Sequence, residues 1–355
     1  MALTSAVSWL RGLVVVALAG CASKPPAFNP RAVELQAAGV RSLARGELDR
    51  AAGQLSLALE YEPRMAEASN GLGLVALARG DRVTAETQFR KALALNEELA
   101  EAHLNLGSIL FDRDEVGAAL LHFRQALAID PGFASARLAT GEALLRLGRH
   151  EEARWELAKL CELEPDRAAA HAALALVLAR LGRIAAAEEE AEGALALDPE
   201  LPAAHRARAE ILRRRGDHAA AVLELGRVLH AQPGSIDDRL ALAASLTAAG
   251  RSEDADRELV GLELAAPGRA EVAFARAFTA LRCDRADEAV RSARRALALR
   301  VPYPEARLVL AEALLRTGSI ADARAELERF LAEAPKSLER ERRRAEAYLR
   351  RQPPR

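Results

Sequence analysis

Cys21 is the first residue whose side chain and setting together point to chemistry. It follows LVVVALAG (residues 13–20), a run of small and aliphatic side chains, and the first twelve residues carry a single charge, Arg11. The apolar run is too short to span a bilayer, which takes roughly 20 residues. A charged leader, a short apolar segment and small boundary residues are instead typical of a secretory signal. A thiol at that boundary is a nucleophile that can form a covalent bond.

The boundary Leu18-Ala19-Gly20-Cys21 resembles the lipobox of bacterial lipoproteins. The resemblance implies that residues 1–20 are a signal peptide cut before Cys21, and that the Cys21 thiol carries a diacylglycerol. Residues 21–31 then form a lipidated N-terminus and a Pro-rich linker, which is a semi-extended tether. No Asp follows the cysteine, which by resemblance to the enterobacterial sorting rule favours the outer membrane, facing the periplasm. An ordinary signal peptide with a chance cysteine is the alternative.

Three histidines, His103, His171 and His205, are separated by multiples of 34 residues. Imidazole is the commonest metal ligand, so one interpretation is a metal ladder. Helices that stack in successive repeats lie about 8–10 Å apart, which is too far for shared ligation near 2 Å. We therefore predict that these histidines fill a structural position, and we expect no metal and no cofactor.

The sequence shows no residues arranged for catalysis. It has no P-loop and no H-E-x-x-H motif, and Gly71-Leu72-Gly73 lies in a helical segment with no strand before it. Cys161 and Cys283 are predicted to be buried single thiols, with an intermolecular disulfide as the alternative in an oxidising compartment. The sequence therefore predicts that the chain is not an enzyme.

The spacing of 34 comes from an internal repeat. A frame that starts at Ala32 runs through nine repeats to Ser337 without insertion or deletion. Position 20 is Ala in every repeat, position 8 is Gly or Ala, position 15 is Gly or Asp, and position 32 is Pro in seven of nine. Gly or Asp at position 15 turns the chain after one helix, and Pro at position 32 stops the next. Small residues at positions 8 and 20 let the two antiparallel helices approach closely.

This pattern resembles the tetratricopeptide repeat, whose signature includes Leu-Gly in the first helix, Ala-x3-Phe in the second and a closing Pro. The resemblance implies an all-α fold: a right-handed α-solenoid of helix-turn-helix repeats over residues 32–337, followed by a C-terminal capping helix and tail over 338–355. Positions 4 and 11 lack the family's Trp and Tyr. Arg208 and Arg276 occupy position 7, where an apolar side chain is expected, so either the packing is looser there or the helix is rotated.

In this family the first helix of each repeat lines a concave groove, chiefly through positions 2, 5, 9, 12 and 13. Position 13 carries Arg146, Arg180 and Arg214, which would hold an acidic peptide or a terminal carboxylate. The favoured alternative is that Arg146, Arg214 and Arg316 each pair with a glutamate four residues earlier. The glutamates in register are Glu142, Glu210 and Glu312.

Repeats seven to nine instead place apolar side chains at groove positions. An exposed apolar surface of this kind marks an interaction site. The alternative is that the first helix of repeat eight is rotated and its two aromatic rings are core. The candidate partner-binding residues are Leu240, Phe274, Phe278, Leu281 and Leu308.

Composition and charge agree with an interaction protein. Half of the chain is apolar, mostly Ala and Leu, and the net charge is −1, so no global field attracts nucleic acid. We predict a non-enzymatic, membrane-anchored scaffold that binds protein or peptide partners, and neither nucleic acid nor a small-molecule substrate. Among lipidated repeat proteins, the chain resembles pilotin-like lipoproteins of type IV pilus secretins and scaffolds of polysaccharide export. The alternative is an accessory subunit that recruits an envelope enzyme such as a peptidoglycan hydrolase or synthase.

Overall fold

The computed structural model describes residues 28–351. The predicted signal peptide and the predicted lipidation site at Cys21 lie outside the described residues. Within them the chain forms 19 α-helices and no strands, so the predicted all-α fold is confirmed. None of these helices is long and apolar enough to cross a membrane.

The helices recur in pairs at intervals of 34 residues. From α3 onward, the first helix of each pair begins at position 1 of the frame and the second begins at position 17. The helices are α1 (Pro30–Ala44), α2 (Leu48–Tyr61), α3 (Ala66–Ala78), α4 (Arg82–Leu95), α5 (Ala100–Asp112), α6 (Val116–Ile129), α7 (Ala134–Arg146), α8 (His150–Leu163), α9 (Ala168–Arg180), α10 (Ile184–Leu197), α11 (Pro202–Arg215), α12 (His218–Ala231), α13 (Ile236–Ala248), α14 (Ser252–Ala265), α15 (Ala270–Arg282), α16 (Ala286–Leu299), α17 (Pro304–Arg316), α18 (Ile320–Glu333) and α19 (Glu339–Arg351), with a 3₁₀ turn at Lys336–Leu338.

The chain divides into two compact units. The N-terminal unit ends at Ala186 and the C-terminal unit begins at Ala187. Repeats one to four lie in the first unit and repeats six to nine in the second. Each unit is a stack of helix pairs, which is the repeat-solenoid architecture that the frame predicts.

The residue at position 15 ends the first helix of each repeat in a left-handed conformation. Gly80 has φ 82°, and the non-glycine residues Asp114 and Asp284 have φ 65° and 59°. The following N–H then reaches back to the helix, as in the bond from Asp81 N–H to the Ala76 carbonyl (2.9 Å). This is the Schellman closure, which satisfies the last carbonyls of the helix.

The two helices of a repeat pack through the small residues of the frame. The position-20 alanines are fully buried. Position 8 faces position 24: a Cβ on Gly107 would lie 2.6 Å from the Phe123 ring, and one on Gly39 would lie 2.6 Å from Leu55. Phe89 and Phe123 at position 24 are buried. Glycine at position 8 therefore makes room for the large side chain opposite it.

The last helix covers the end of the C-terminal unit. Ala345 is buried, and Tyr348 and Leu349 pack with it against the cluster that contains Phe330. Arg342 donates to the carbonyl oxygens of Leu331 and Ala334, each at 2.8 Å. Helix α19 thus covers apolar surface and satisfies carbonyls at the end of α18.

Candidate functional site

Two aromatic residues at groove positions of repeat eight lie in different environments. Phe274 packs into the cluster of Ala270, Ala273 and Tyr303, and its ring centroid is 5.2 Å from that of Tyr303. Phe278, one turn later on α15, keeps 43% of its surface exposed. The alternative of core rings therefore holds for Phe274, and Phe278 is a solvent-facing aromatic at a groove position.

Tyr303 is the residue against which Phe274 packs. Its side chain is buried, and burial together with nearby Glu271 raises the pKa of its hydroxyl to about 12. The guanidinium of Arg300 lies 4.9 Å from the centre of its ring. The contact between Phe274 and Tyr303 joins α15 to the segment that precedes α17, so Phe274 has a structural role.

The other apolar groove residues do not form the continuous exposed surface that the sequence predicted. That prediction is wrong for Leu281, which is only 3% exposed because it packs against Val309 and Leu310 of the next repeat. Leu240 and Leu308 are half-buried and pack against the clusters of repeats seven and nine. Of the five, Phe278 is the most open to a partner.

Arg276 at position 7 is an ion-pair centre and not a sign of loose packing. Its mostly buried guanidinium pairs with Glu263 and Glu288. Arg285 lies 2.8 Å from Glu288 and 3.2 Å from Asp256. These partners satisfy a charge that would otherwise be costly so close to the core.

Four of the position-13 arginines have contacts within the protein itself. Arg316 donates to the Leu281 carbonyl (2.8 Å) and to Glu312 (3.0 Å). Arg214 bonds to Glu210 at 2.8 Å. These two bonds confirm the favoured pairing with a glutamate four residues earlier.

Arg146 uses a partner in the preceding repeat. Its guanidinium lies 4.5 Å from the centre of the Phe111 ring, 3.3 Å from the Phe111 carbonyl oxygen and 3.6 Å from Asp114. Arg180 also has a partner within the protein. An acidic ligand would have to compete with these contacts, so the structure gives little support to an arginine row that binds carboxylates.

A polar pair that the sequence analysis missed recurs between positions 4 and 23. A basic or imidazole side chain on the first helix of the repeat meets a carboxylate, or in one case an imidazole, on the second. The signal was present in the sequence as two polar residues separated by 19. The pairs are His103–His122 (2.9 Å), Arg137–Glu156 (2.7 Å), His205–Glu224 (2.7 Å), Arg239–Glu258 (3.1 Å) and Arg307–Glu326 (2.9 Å).

The second ring nitrogen of each position-4 histidine contacts the loop before its helix. His103 Nε2 is 3.0 Å from the Glu97 carbonyl oxygen, and His205 Nε2 is 3.0 Å from that of Pro199. His171 Nε2 is 2.8 Å from the carbonyl oxygen of Pro165. These contacts agree with a structural role for His103 and His205. His171 also lies in a group with Cys161 and Glu190, whose potential metal-ligand atoms are all within 4.8 Å of one another. Cys161 and Cys283 are thiols. The prediction that they are buried is wrong, since both are half-buried.

Sequence profiles described as tetratricopeptide repeat match most of the chain. The matched segments are residues 37–95, 77–132, 110–174, 172–236 and 280–351. No curated protein matches the sequence.

Two solved structures show a similar fold. A tetratricopeptide repeat protein from Parabacteroides merdae is 16% identical with a TM-score of 0.54, over 71% of this chain and 99% of that chain. A chain of the APC/C hetero-tetramer Cut9–Hcn1 is 17% identical with a TM-score of 0.62, over 79% of this chain and 55% of that chain. At these identities the likeness concerns the fold alone.

Proposed function

Since the chain belongs to the tetratricopeptide-repeat family, we propose that it is a non-enzymatic scaffold, anchored by lipid at Cys21, that binds a protein partner through the groove positions of its C-terminal unit. Repeats of this family are protein-interaction modules. Their stacked first helices present successive side chains along one face, which suits an extended partner.

The observation that carries this proposal is the exposure of Phe278. Burying the exposed part of this aromatic ring under a partner would remove apolar surface from water, which is favourable. Phe278 projects from α15, which Phe274 and Leu281 fix to the core, so the ring is presented from a rigid helix. Rigid aromatic anchors of this kind dominate the free energy of many protein interfaces.

The sequence around Cys21 supports the proposed location in the cell envelope. Two or more acyl chains anchor a protein stably where one is marginal, and the Pro-rich linker keeps the repeats near the membrane but outside it. This arrangement suits a factor that assembles an envelope complex, such as a type IV pilus secretin or a polysaccharide-export machine, facing the periplasm.

We expect Phe278→Ala to weaken the co-purification of envelope partners with the tagged full chain. The loss should correspond to roughly 2 kcal/mol or more in binding free energy, with a smaller drop in melting temperature than Phe274→Ala causes, because 43% of the surface of Phe278 is already exposed. Leu264→Ala is the matched control, since Leu264 is an exposed apolar residue at a position outside the groove set. Partner recovery is measured by quantitative mass spectrometry of detergent extracts.

Phe274→Ala separates binding from folding. It removes the contact with Tyr303 and should cost about 3 kcal/mol of stability, so its effect on the partner comes with a lower melting temperature. Full partner recovery by Phe278→Ala, or an equal loss in Leu264→Ala, would show that the groove of repeat eight is not the binding surface.

We expect Cys21→Ser to move the protein from the membrane fraction to a soluble or unprocessed form. A serine hydroxyl does not replace the thiol as lipid acceptor, so cleavage before residue 21 should also fail. Cell fractionation measures the change of location, and the intact mass of the protein shows whether it is cleaved and lipidated. Wild-type membrane protein whose mass contains no acyl chains would contradict the anchor and leave the groove proposal standing.

A further inference from the structure

Three half-buried side chains on successive helices form a group of potential metal ligands: Cys161 on α8, His171 on α9 and Glu190 on α10. Each offers one ligand atom, and the three atoms all lie within 4.8 Å of one another. Thiolate sulfur, imidazole nitrogen and carboxylate oxygen are the ligands that Zn²⁺ takes in proteins. Ligands at about 2.0–2.3 Å from a tetrahedral ion lie roughly 3.3–3.8 Å from each other, so small side-chain rotations suffice to bring these atoms around one ion.

The ring of His171 is held in the orientation and tautomer that a metal ligand needs. Its Nε2 is 2.8 Å from the carbonyl oxygen of Pro165, which can only accept, so Nε2 carries a hydrogen. The neutral ring then has its lone pair on Nδ1. A metal-binding histidine almost always donates its other N–H to an oxygen in this way, which fixes the ring and makes the ligand nitrogen more basic.

Cys161 distinguishes this group from the polar pairs of the other repeats. His171 and Glu190 occupy positions 4 and 23 of repeat five, where an imidazole and a carboxylate also meet in repeat six. Cys161 is position 28 of the preceding repeat. Leucine occupies that position before His103 and before His205. A third ligand is therefore present beside the histidine of repeat five, and an aliphatic side chain replaces it before the other two histidines.

Helix α10 itself positions the carboxylate of Glu190. This residue lies one turn after Ala186, the last residue of the N-terminal unit, and α10 runs without a break over Ile184–Leu197. A residue one turn along a continuous helix keeps a fixed place relative to the start of that helix. The group is therefore built at the end of the N-terminal unit, by α8, α9 and the first two turns of α10.

Charge and access favour a divalent ion. The Cys161 thiolate and the Glu190 carboxylate together carry two negative charges, and His171 binds as the neutral ring, so Zn²⁺ makes the site neutral. Because all three side chains are half-buried, an ion can enter from solvent. A zinc ion with three protein ligands takes water in its fourth position. Binding also releases the thiol proton, since the thiolate is the form that binds metal.

We propose that Cys161, His171 and Glu190 bind one Zn²⁺ ion. An ion that binds the folded chain and not the unfolded chain stabilises the fold by mass action. The site therefore makes the stability of repeats four and five depend on zinc. It lies outside the proposed partner groove of repeat eight, so either proposal stands without the other.

The test is a calorimetric zinc titration of the full chain in detergent, freed of metal with a chelator and kept reduced with a phosphine. We expect one Zn²⁺ per chain with release of a proton, and no binding of Mg²⁺, which prefers oxygen ligands. Zinc should also raise the melting temperature. Co²⁺ is the spectroscopic probe, because a thiolate ligand gives it a charge-transfer absorption in the near ultraviolet.

Cys161→Ser should lower the zinc affinity at least about a hundredfold and remove the charge-transfer absorption of Co²⁺. Glu190→Gln keeps the shape of its side chain and should also lower the affinity, and its melting temperature without zinc shows that it is folded. Cys283→Ser is the matched control, since it removes the other half-buried thiol and should bind zinc like the wild type. No stoichiometric zinc binding by the wild type, unchanged affinity in Cys161→Ser, or an equal loss in Cys283→Ser would overturn the site.

Discussion

Replacing Arg137 with Met is expected to lower the free energy of unfolding by about 3 kcal/mol, the cost of leaving one member of a buried ion pair alone. The side chains of Arg137 and Glu156 are only 10% and 17% exposed, and Nη1 lies 2.7 Å from the carboxylate. Arg137 also donates to the Pro131 carbonyl. Methionine keeps the apolar stem, so the loss comes from the carboxylate and carbonyl that lose their donor.

Two further variants show whether the cost belongs to the unpaired charge. Adding Glu156→Leu to Arg137→Met should restore most of the stability, because the pair is then replaced by apolar side chains of similar volume. Arg239→Met removes the same cation from the more exposed Arg239–Glu258 pair and should cost under about 1 kcal/mol. Denaturation by urea, followed by circular dichroism, measures all three. An Arg137→Met variant as stable as the wild type would show that this position 4–23 pair does not stabilise the fold.

The repeat architecture could be predicted because its signals are local. Gly or Asp at position 15 ends a helix in the left-handed conformation, as Gly80 and Asp114 do, and that requirement is visible within a few residues of sequence. Alanine at position 20 indicates that the two helices of the same repeat pack closely together. Neither inference needs to know what the neighbouring repeat contains.

The groove residues could not be predicted as reliably, because their burial depends on segments outside their own helix. Phe274 and Phe278 share a helix face, yet Tyr303 covers one ring and leaves the other exposed. Leu281 is buried by Val309 and Leu310 of the next repeat. Sequence periodicity identifies the face of a helix, while contacts from the segment before the next repeat or from that repeat decide how far each residue is covered.

The polar pairs lie between these two cases. Positions 4 and 23 belong to the same repeat, so the frame alone brings His205 and Glu224 onto facing helices. A comparison of charges at all pairs of frame positions would have found them. Position 4 by itself indicates only that a histidine fills a structural position, while positions 4 and 23 taken together identify its partner.

Gly107→Ala should destabilise the N-terminal unit by roughly 1–3 kcal/mol, although alanine is the better helix former. Its Cβ would lie 2.6 Å from the ring of Phe123, and the ring is buried and cannot move away freely. Helix propensity alone predicts the opposite sign, since Gly is about 1 kcal/mol worse than Ala in a helix. The sign of the change therefore tests whether close packing or local propensity controls this position. Thermal and urea unfolding of the full chain measure it.

Phe123→Leu is the compensating change, because the chain already contains the resulting pair: Ala209 faces Leu225 at the same positions of repeat six, and both are buried. Phe123→Leu alone should lose roughly 1 kcal/mol of packing. The double variant Gly107→Ala/Phe123→Leu should be more stable than Gly107→Ala alone, with a favourable coupling of about 1–2 kcal/mol. Additive losses would mean that Phe123 does not set the limit at Gly107. In that case glycine at position 8 would need an explanation other than the large side chain at position 24.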